Sequence, residues 1–151
     1  MKKVLFVSVG EIKSKSIIGG NTDEKIIAGA LMEVQELELL PLIGDKLYND
    51  LEEAVRTSIV SSGTTLTADQ SVILNDYIKQ YLIYGTLVYS VVPLQYKLND
   101  KGLNKSTDSN LISVDSREQD IFKNYYKEKF EGYKRRLIEY FKTDTNSETN
   151  T

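Results

Sequence analysis

Between Val72 and Val92, apolar side chains fall on every side of the helix that their spacing predicts. A helix that is apolar all round cannot lie on a surface, so other elements must enclose it. This one requirement makes the chain a helical bundle built around its own middle. The start is marked by Thr67 and Gln70, a Thr-x-x-Gln box in which each side chain satisfies the other's backbone N–H. Pro93 marks the expected end. The most apolar part, Tyr81 to Val92, is shorter than the roughly 20 residues needed to span a bilayer, and Asp76 and Lys79 precede it by about a turn. It reads as a buried helix, with no membrane partner.

The enclosing elements are read from the same periodicities. Helix one is expected from Asn21 and Glu24, a capping pair, with Ile26, Ile27, Ala30, Leu31, Val34 and Leu37 at helical spacing. Pro41 is expected to stop it, since proline lacks the N–H and disfavours helix at Leu40. Helix two is expected from Gly44-Asp45, with Leu47, Tyr48, Leu51, Ala54 and Val55 inward. After Pro93, Leu94, Tyr96 and Leu98 alternate with polar residues, and Asn99 to Gly102 is a turn sequence, which predicts a small β-hairpin returning through Leu103 to Lys105. The last helix is expected from Ser116 and Gln119 to about Lys142, with the stripe Phe122, Tyr126, Phe130, Tyr133, Leu137 and Phe141. Residues 1–20 read as an extended N-terminal arm: the apolar run Val4 to Val7 stops at Ser8, too short for a secretory signal of about 7–15 apolar residues. Residues 21–142 form the helical domain, and 143–151, with no apolar residue, read as a disordered tail.

Composition then narrows the chemistry. The 151 residues include no histidine and no cysteine. Ser-His-Asp and Cys-His nucleophiles, His- or Cys-ligated metals and disulfides are therefore excluded. Helices one and two carry a dense carboxylate set, including Glu33, Glu36 and Asp50, which reads as a solvated face; an all-carboxylate magnesium site is the competing reading. Gly19-Gly20, before a helix start, reads as a joint, because no phosphate-binding pattern surrounds it. Nineteen Lys and Arg against 22 Asp and Glu argue against a broad nucleic-acid-gripping surface. A local basic cluster, Lys134-Arg135-Arg136, sits among the tyrosines of the last helix, and Tyr and Arg favour interfaces. No catalytic residue and no cofactor are expected.

The stretch from Val34 to Leu51, with its Leu40-Pro41-Leu42-Ile43-Gly44 break, resembles that of head–tail connector (adaptor) proteins of tailed bacteriophages. It is similar in particular to neck-ring proteins of phages of Bacteroides-type hosts, including crAss-like phages. The hairpin sequence Tyr96 to Leu103 and the closing helix fit the same pattern, so the likeness covers about residues 20–142. The resemblance implies a mainly α, four-helix connector-type bundle with a small β-hairpin between helices three and four. It implies a structural virion protein without catalysis, in a dodecameric ring beneath the portal protein. Its partners would be the portal, neighbouring subunits and further neck or tail proteins, with DNA passing through the lumen unbound. Its place would be the virion neck, after assembly in the host cytoplasm. A ring uses heterologous contacts that close by rotation, and extended pieces are a common way to make them. The candidate interface is therefore Val4 and Phe6 of the arm, Tyr96, Leu98 and Leu103 of the hairpin, and Tyr126, Tyr133, Lys134, Arg135, Arg136 and Tyr140 of the last helix. The competing expectations are a stopper or tail-completion protein and a helical binding module outside any virion.

Overall fold

The structure, a computed structural model, describes residues 3–20, 22–61, 63, 65–99, 102–105 and 116–149; residues 95–99, 102–105, 116 and 144–149 are described by their backbone. Among these residues the chain forms five helical runs. The first is α1 (Val9–Lys15). The second joins α2 (Glu24–Val34), a π-helical segment Gln35–Leu39 and α3 (Leu40–Ile43). The third is α4 (Asp45–Ser61). The fourth joins α5 (Ala68–Val72), a second π segment Ile73–Ile78 and α6 (Lys79–Gln95). The fifth is α7 (Ser116–Thr149). Between α6 and α7, β1 (Tyr96–Asn99) and β2 (Gly102–Lys105) pair antiparallel with each other, Leu98 opposite Leu103.

The expected four-helix bundle with a hairpin and an extended arm does not stand as stated. The chain is mainly helical, but it has five helical runs, and residues 3–20 are not an extended arm. Ser8 caps α1, accepting a 3.0 Å hydrogen bond from the Glu11 N–H. Phe6, Val7, Ile12 and Ile18 all enter the core. Burying that apolar set is worth more than extending it into water.

Pro41 does not stop its helix either. The turn before it is wide, because the Leu40 N–H reaches back to the Gln35 carbonyl, one residue further than in an α-helix. Pro41 then occupies an early position of α3, where a missing N–H costs little. The run ends at Gly44, whose φ of +87° is a conformation that glycine adopts without strain. The cap of α2 is Asp23, which accepts from the Lys25 N–H; the expected cap Asn21 lies outside the described residues. At Thr67 both bonds of the capping box are present, at 3.0 and 3.1 Å. The backbone of α7 stays helical to Thr149, through most of the expected disordered tail. After Gly132 the sequence offers no Gly or Pro to break it.

α6 is the centre, packed between α2 and α7. Aromatic pairs fix the direction of α7: Tyr77 meets Tyr140, Tyr81 stacks on Phe130 at 4.5 Å, and Tyr84 meets Tyr126 and Tyr133. The numbers rise on α7 as they fall on α6, so the two run antiparallel. The N-terminal segment is tied to this core by Gln35, which is fully buried. Its Oε1 accepts from the Phe6 N–H at 2.8 Å, and its Nε2 donates to the Val4 carbonyl at 3.0 Å and to the Tyr48 hydroxyl at 3.3 Å.

Candidate interface

Of the arm residues expected at an interface, Val4 and Phe6 are core residues. Val4 is 9% exposed and Phe6 4%, with the Phe6 ring 5.1 Å from that of Tyr48. A short apolar run beside charged residues reads as a free arm; Gln35, far along the chain, is what holds it in. Tyr96, Leu98 and Leu103 lie in the hairpin, with their side chains outside the described residues.

The α7 residues divide by helical angle. Tyr126, Tyr133 and Tyr140 are half-buried in the seam with α6, their rings on Tyr84 and Tyr77. Arg136 is committed to the same seam: its guanidinium lies 4.4 Å over the Tyr77 ring and donates to the Asp76 carbonyl at 2.6 Å. Arg135 is exposed and Lys134 half-exposed, and neither has a hydrogen-bond or ion-pair partner among the described residues. So the structure brings the tyrosines and Arg136 together as internal packing and leaves Lys134 and Arg135 outside.

The carboxylates do not converge. Glu36 pairs with Lys3, Glu38 accepts a 2.7 Å bond from the Tyr89 hydroxyl, and Glu33 and Asp50 are exposed. No group of three or more Asp or Glu that could hold a metal ion occurs among the described residues. The Gly19-Gly20 joint is tied locally: the Thr22 N–H donates to the Gly19 carbonyl, and Lys13 Nζ donates to the Gly20 carbonyl at 2.9 Å. No helix among the described residues is long and apolar enough to cross a membrane.

Tyr89 carries the clearest electrostatic signature. Burial, with the hydrogen bond to Glu38 second, pushes its phenol up to about 12. Burial raises Tyr81 too. A phenol raised above its unfolded value near 10 contributes stability that is complete below that pH and is lost as pH climbs toward the folded value. Urea melts between pH 8 and pH 12 should therefore show stability falling above about pH 10. Tyr89→Phe should make that fall shallower, leaving the share of Tyr48, Tyr81 and Tyr84, which burial also raises, and should cost about 1.5–3 kcal/mol at neutral pH for the lost bond to a carboxylate. An unchanged alkaline slope in the variant would refute this assignment.

The feature that sequence reading missed is an apolar cleft of about 270 Å³. It is lined by Ile17 and Ile18 after α1, by Leu87, Val91 and Leu94 of α6, and by Phe122 of α7. Ile17 is 62% exposed, and Ile121, next to Phe122, is 63% exposed. The available signal was the Ile17-Ile18 pair in an otherwise polar stretch. A second apolar surface lies where α4 ends: Ile59 is 67% and Val60 81% exposed, beside a groove lined by Val55, Leu66 and Leu74. The two surfaces meet the α5–α6 run about 15 residues apart, or roughly 20 Å at 1.5 Å per residue.

Residues 39–150 match DUF6712, described as a family of unknown function. No curated protein and no solved structure matches the chain.

Proposed function

We propose a structural role for this chain, which belongs to the DUF6712 family: it is a ring-forming subunit of the neck that joins the head of a tailed phage to its tail. In this reading it has no catalytic role. It contacts the portal protein, its own neighbours and further neck or tail proteins, and DNA passes through the lumen without specific contacts. It is located in the virion, after a period in the host cytoplasm.

One observation carries the reading beyond the resemblance of Val34 to Leu51 to connector proteins. The described chain leaves apolar side chains uncovered at two separate places, around the Ile17 cleft and at Ile59–Val60. Exposed apolar side chains grouped beside a cleft and a groove suit contact with other macromolecules. Two such surfaces on one chain, some 20 Å apart, suit a subunit that touches more than one neighbour. The connector resemblance supplies what the neighbours would be.

The cleft also favours a second reading, a monomeric module that holds the apolar face of a partner helix. Copy number separates the two. Quantitative mass spectrometry of purified particles, referenced to the major capsid protein, should find a fixed ring complement, a dodecamer or a small multiple of one. Absence from the particle would sink the neck reading and leave the module.

A further inference from the structure

The charges that α7 leaves outside are matched by charges of opposite sign elsewhere on the same chain. Residues 33–53 hold seven Asp or Glu and one Lys, a net of −6. Residues 123–142 hold seven Lys or Arg and three Glu, a net of +4. On α4, Asp45, Asn49 and Glu53 are spaced by four and form one exposed ridge, with exposed Asp50 beside it. On α7, Lys123, Lys127 and Lys134 are spaced by four and seven, and so share a ridge, with Arg135 next to it. Asp45 and Glu53 are about 12 Å apart along their axis, and Lys127 and Lys134 about 10 Å, at 1.5 Å per residue. Lysine side chains absorb that difference easily.

Within one molecule the two ridges do not neutralise each other. Among the described residues no ion pair links residues 33–53 to residues 123–142, and Asp45, Asp50, Glu53, Lys127 and Lys134 have no ion-pair partner. We infer that the lysine ridge of α7 in one copy docks on the carboxylate ridge of α4 in the next, a head-to-tail contact between copies of this chain. Docking either ridge on itself would set like charges against each other, so each ridge meets its opposite on another copy. A two-fold pair exchanging both contacts obeys the same rule, and the head-to-tail choice comes from the ring reading above. Nucleic acid is the poorer occupant for the lysine ridge, because 22 Asp and Glu against 19 Lys and Arg leave no broad basic surface for a continuous phosphate backbone, whereas the α4 ridge is about as short as the lysine ridge. The inference rests on the structural reading above in taking a second copy as the occupant.

The test is sedimentation velocity on the full-length protein over a concentration series. Wild type should self-associate in about 50 mM NaCl, and about tenfold more weakly in about 500 mM NaCl, as screening shortens the reach of the charges. Asp50→Lys with Glu53→Lys, which spares the favourable charge at the helix start, should weaken association at least about tenfold. Lys127→Glu with Lys134→Glu should do the same. An equimolar mixture of the two double variants should restore association, because every junction of an alternating assembly again pairs opposite charges. Circular dichroism melts check that each variant is folded, and the mixture stands as an internal control.

A wild type that stays monomeric at low salt would overturn the inference, as would a mixture that fails to recover. Loss of duplex DNA binding in the Lys127→Glu, Lys134→Glu variant with self-association intact would overturn it as well and assign the ridge to nucleic acid. None of these outcomes touches the particle copy number, so the docking mode and the neck reading can fail separately.

Discussion

Replacing Gln35 with leucine should lower the free energy of unfolding by about 2–5 kcal/mol, although leucine fills nearly the same volume in an apolar site. The expectation follows from what the amide satisfies. The Phe6 N–H and the Val4 carbonyl each have Gln35 as partner, at 2.8 and 3.0 Å, and the Tyr48 hydroxyl accepts at 3.3 Å. Leucine leaves the two buried backbone groups without a partner, and each costs about 1–3 kcal/mol when orphaned. The effect should be local in the first instance. Hydrogen exchange at the Phe6 amide should rise well above that of α6 amides, because the segment from Lys3 to Ser8 is held to the core by this side chain, by apolar contact and by the exposed Lys3–Glu36 ion pair, which is worth little. Urea unfolding measures the global change. A loss below about 1 kcal/mol with a protected Phe6 amide would mean that apolar contact alone holds the segment.

That clamp also shows where the sequence was legible and where it was not. The central helix was legible, because an all-round apolar run and a Thr67–Gln70 box are local signals. So was most of the aromatic stripe of α7, since a spacing of three and four is also local: Tyr126, Phe130, Tyr133, Leu137 and Phe141 do pack on the core, and Phe122 lines the cleft. Gln35 was not legible, since nothing about a glutamine between Val34 and Glu36 announces hydrogen bonds to residues 29 and 31 positions away. The start of α1 is written as Ser8-x-x-Glu11, a cap signature, but only Ile12 follows it at a core position of the helix, and one apolar residue gives no period. The rule that proline ends a helix is set aside at Pro41 by the wide turn at Gln35–Leu39, and at Pro93, the expected end of the central helix, α6 runs two residues further to Gln95. The α7 part of the candidate site was read from residue type alone, which is why it mixed seam residues such as Tyr133 and Arg136 with the outward Lys134 and Arg135. Tyrosine and arginine favour interfaces of both kinds, and the inside of a helix pair is one of them.

Gly85→Ala should destabilise the protein even though alanine is the better helix former by about 1 kcal/mol. A Cβ at this position would stand 2.7 Å from Phe130 Cε2 and 2.7 Å from Val34 Cγ1. Those atoms belong to α7 and α2, so one methyl group pushes on both partners of the central helix at once. Neither can give way cheaply: Val34 is fully buried and branched, and the Phe130 ring is stacked against Tyr81. Overpacking of this kind costs about 1–3 kcal/mol, and with two partners pressed at once the upper part of that range, about 2–3 kcal/mol, applies. Less the helix gain of about 1 kcal/mol, the net loss should be about 1–2 kcal/mol for alanine and about 3 kcal/mol for Gly85→Val, which adds bulk without alanine's full helix gain. The mechanism has a signature that simple loss of stability lacks. Phe130→Leu alone should destabilise, as any large-to-small core change does. In the Gly85→Ala background it should cost about 1 kcal/mol less, because the shorter side chain vacates the space the methyl needs. Strict additivity in that double-mutant cycle would show that α7 does not press on Gly85, and would place the whole constraint on Val34 and α2.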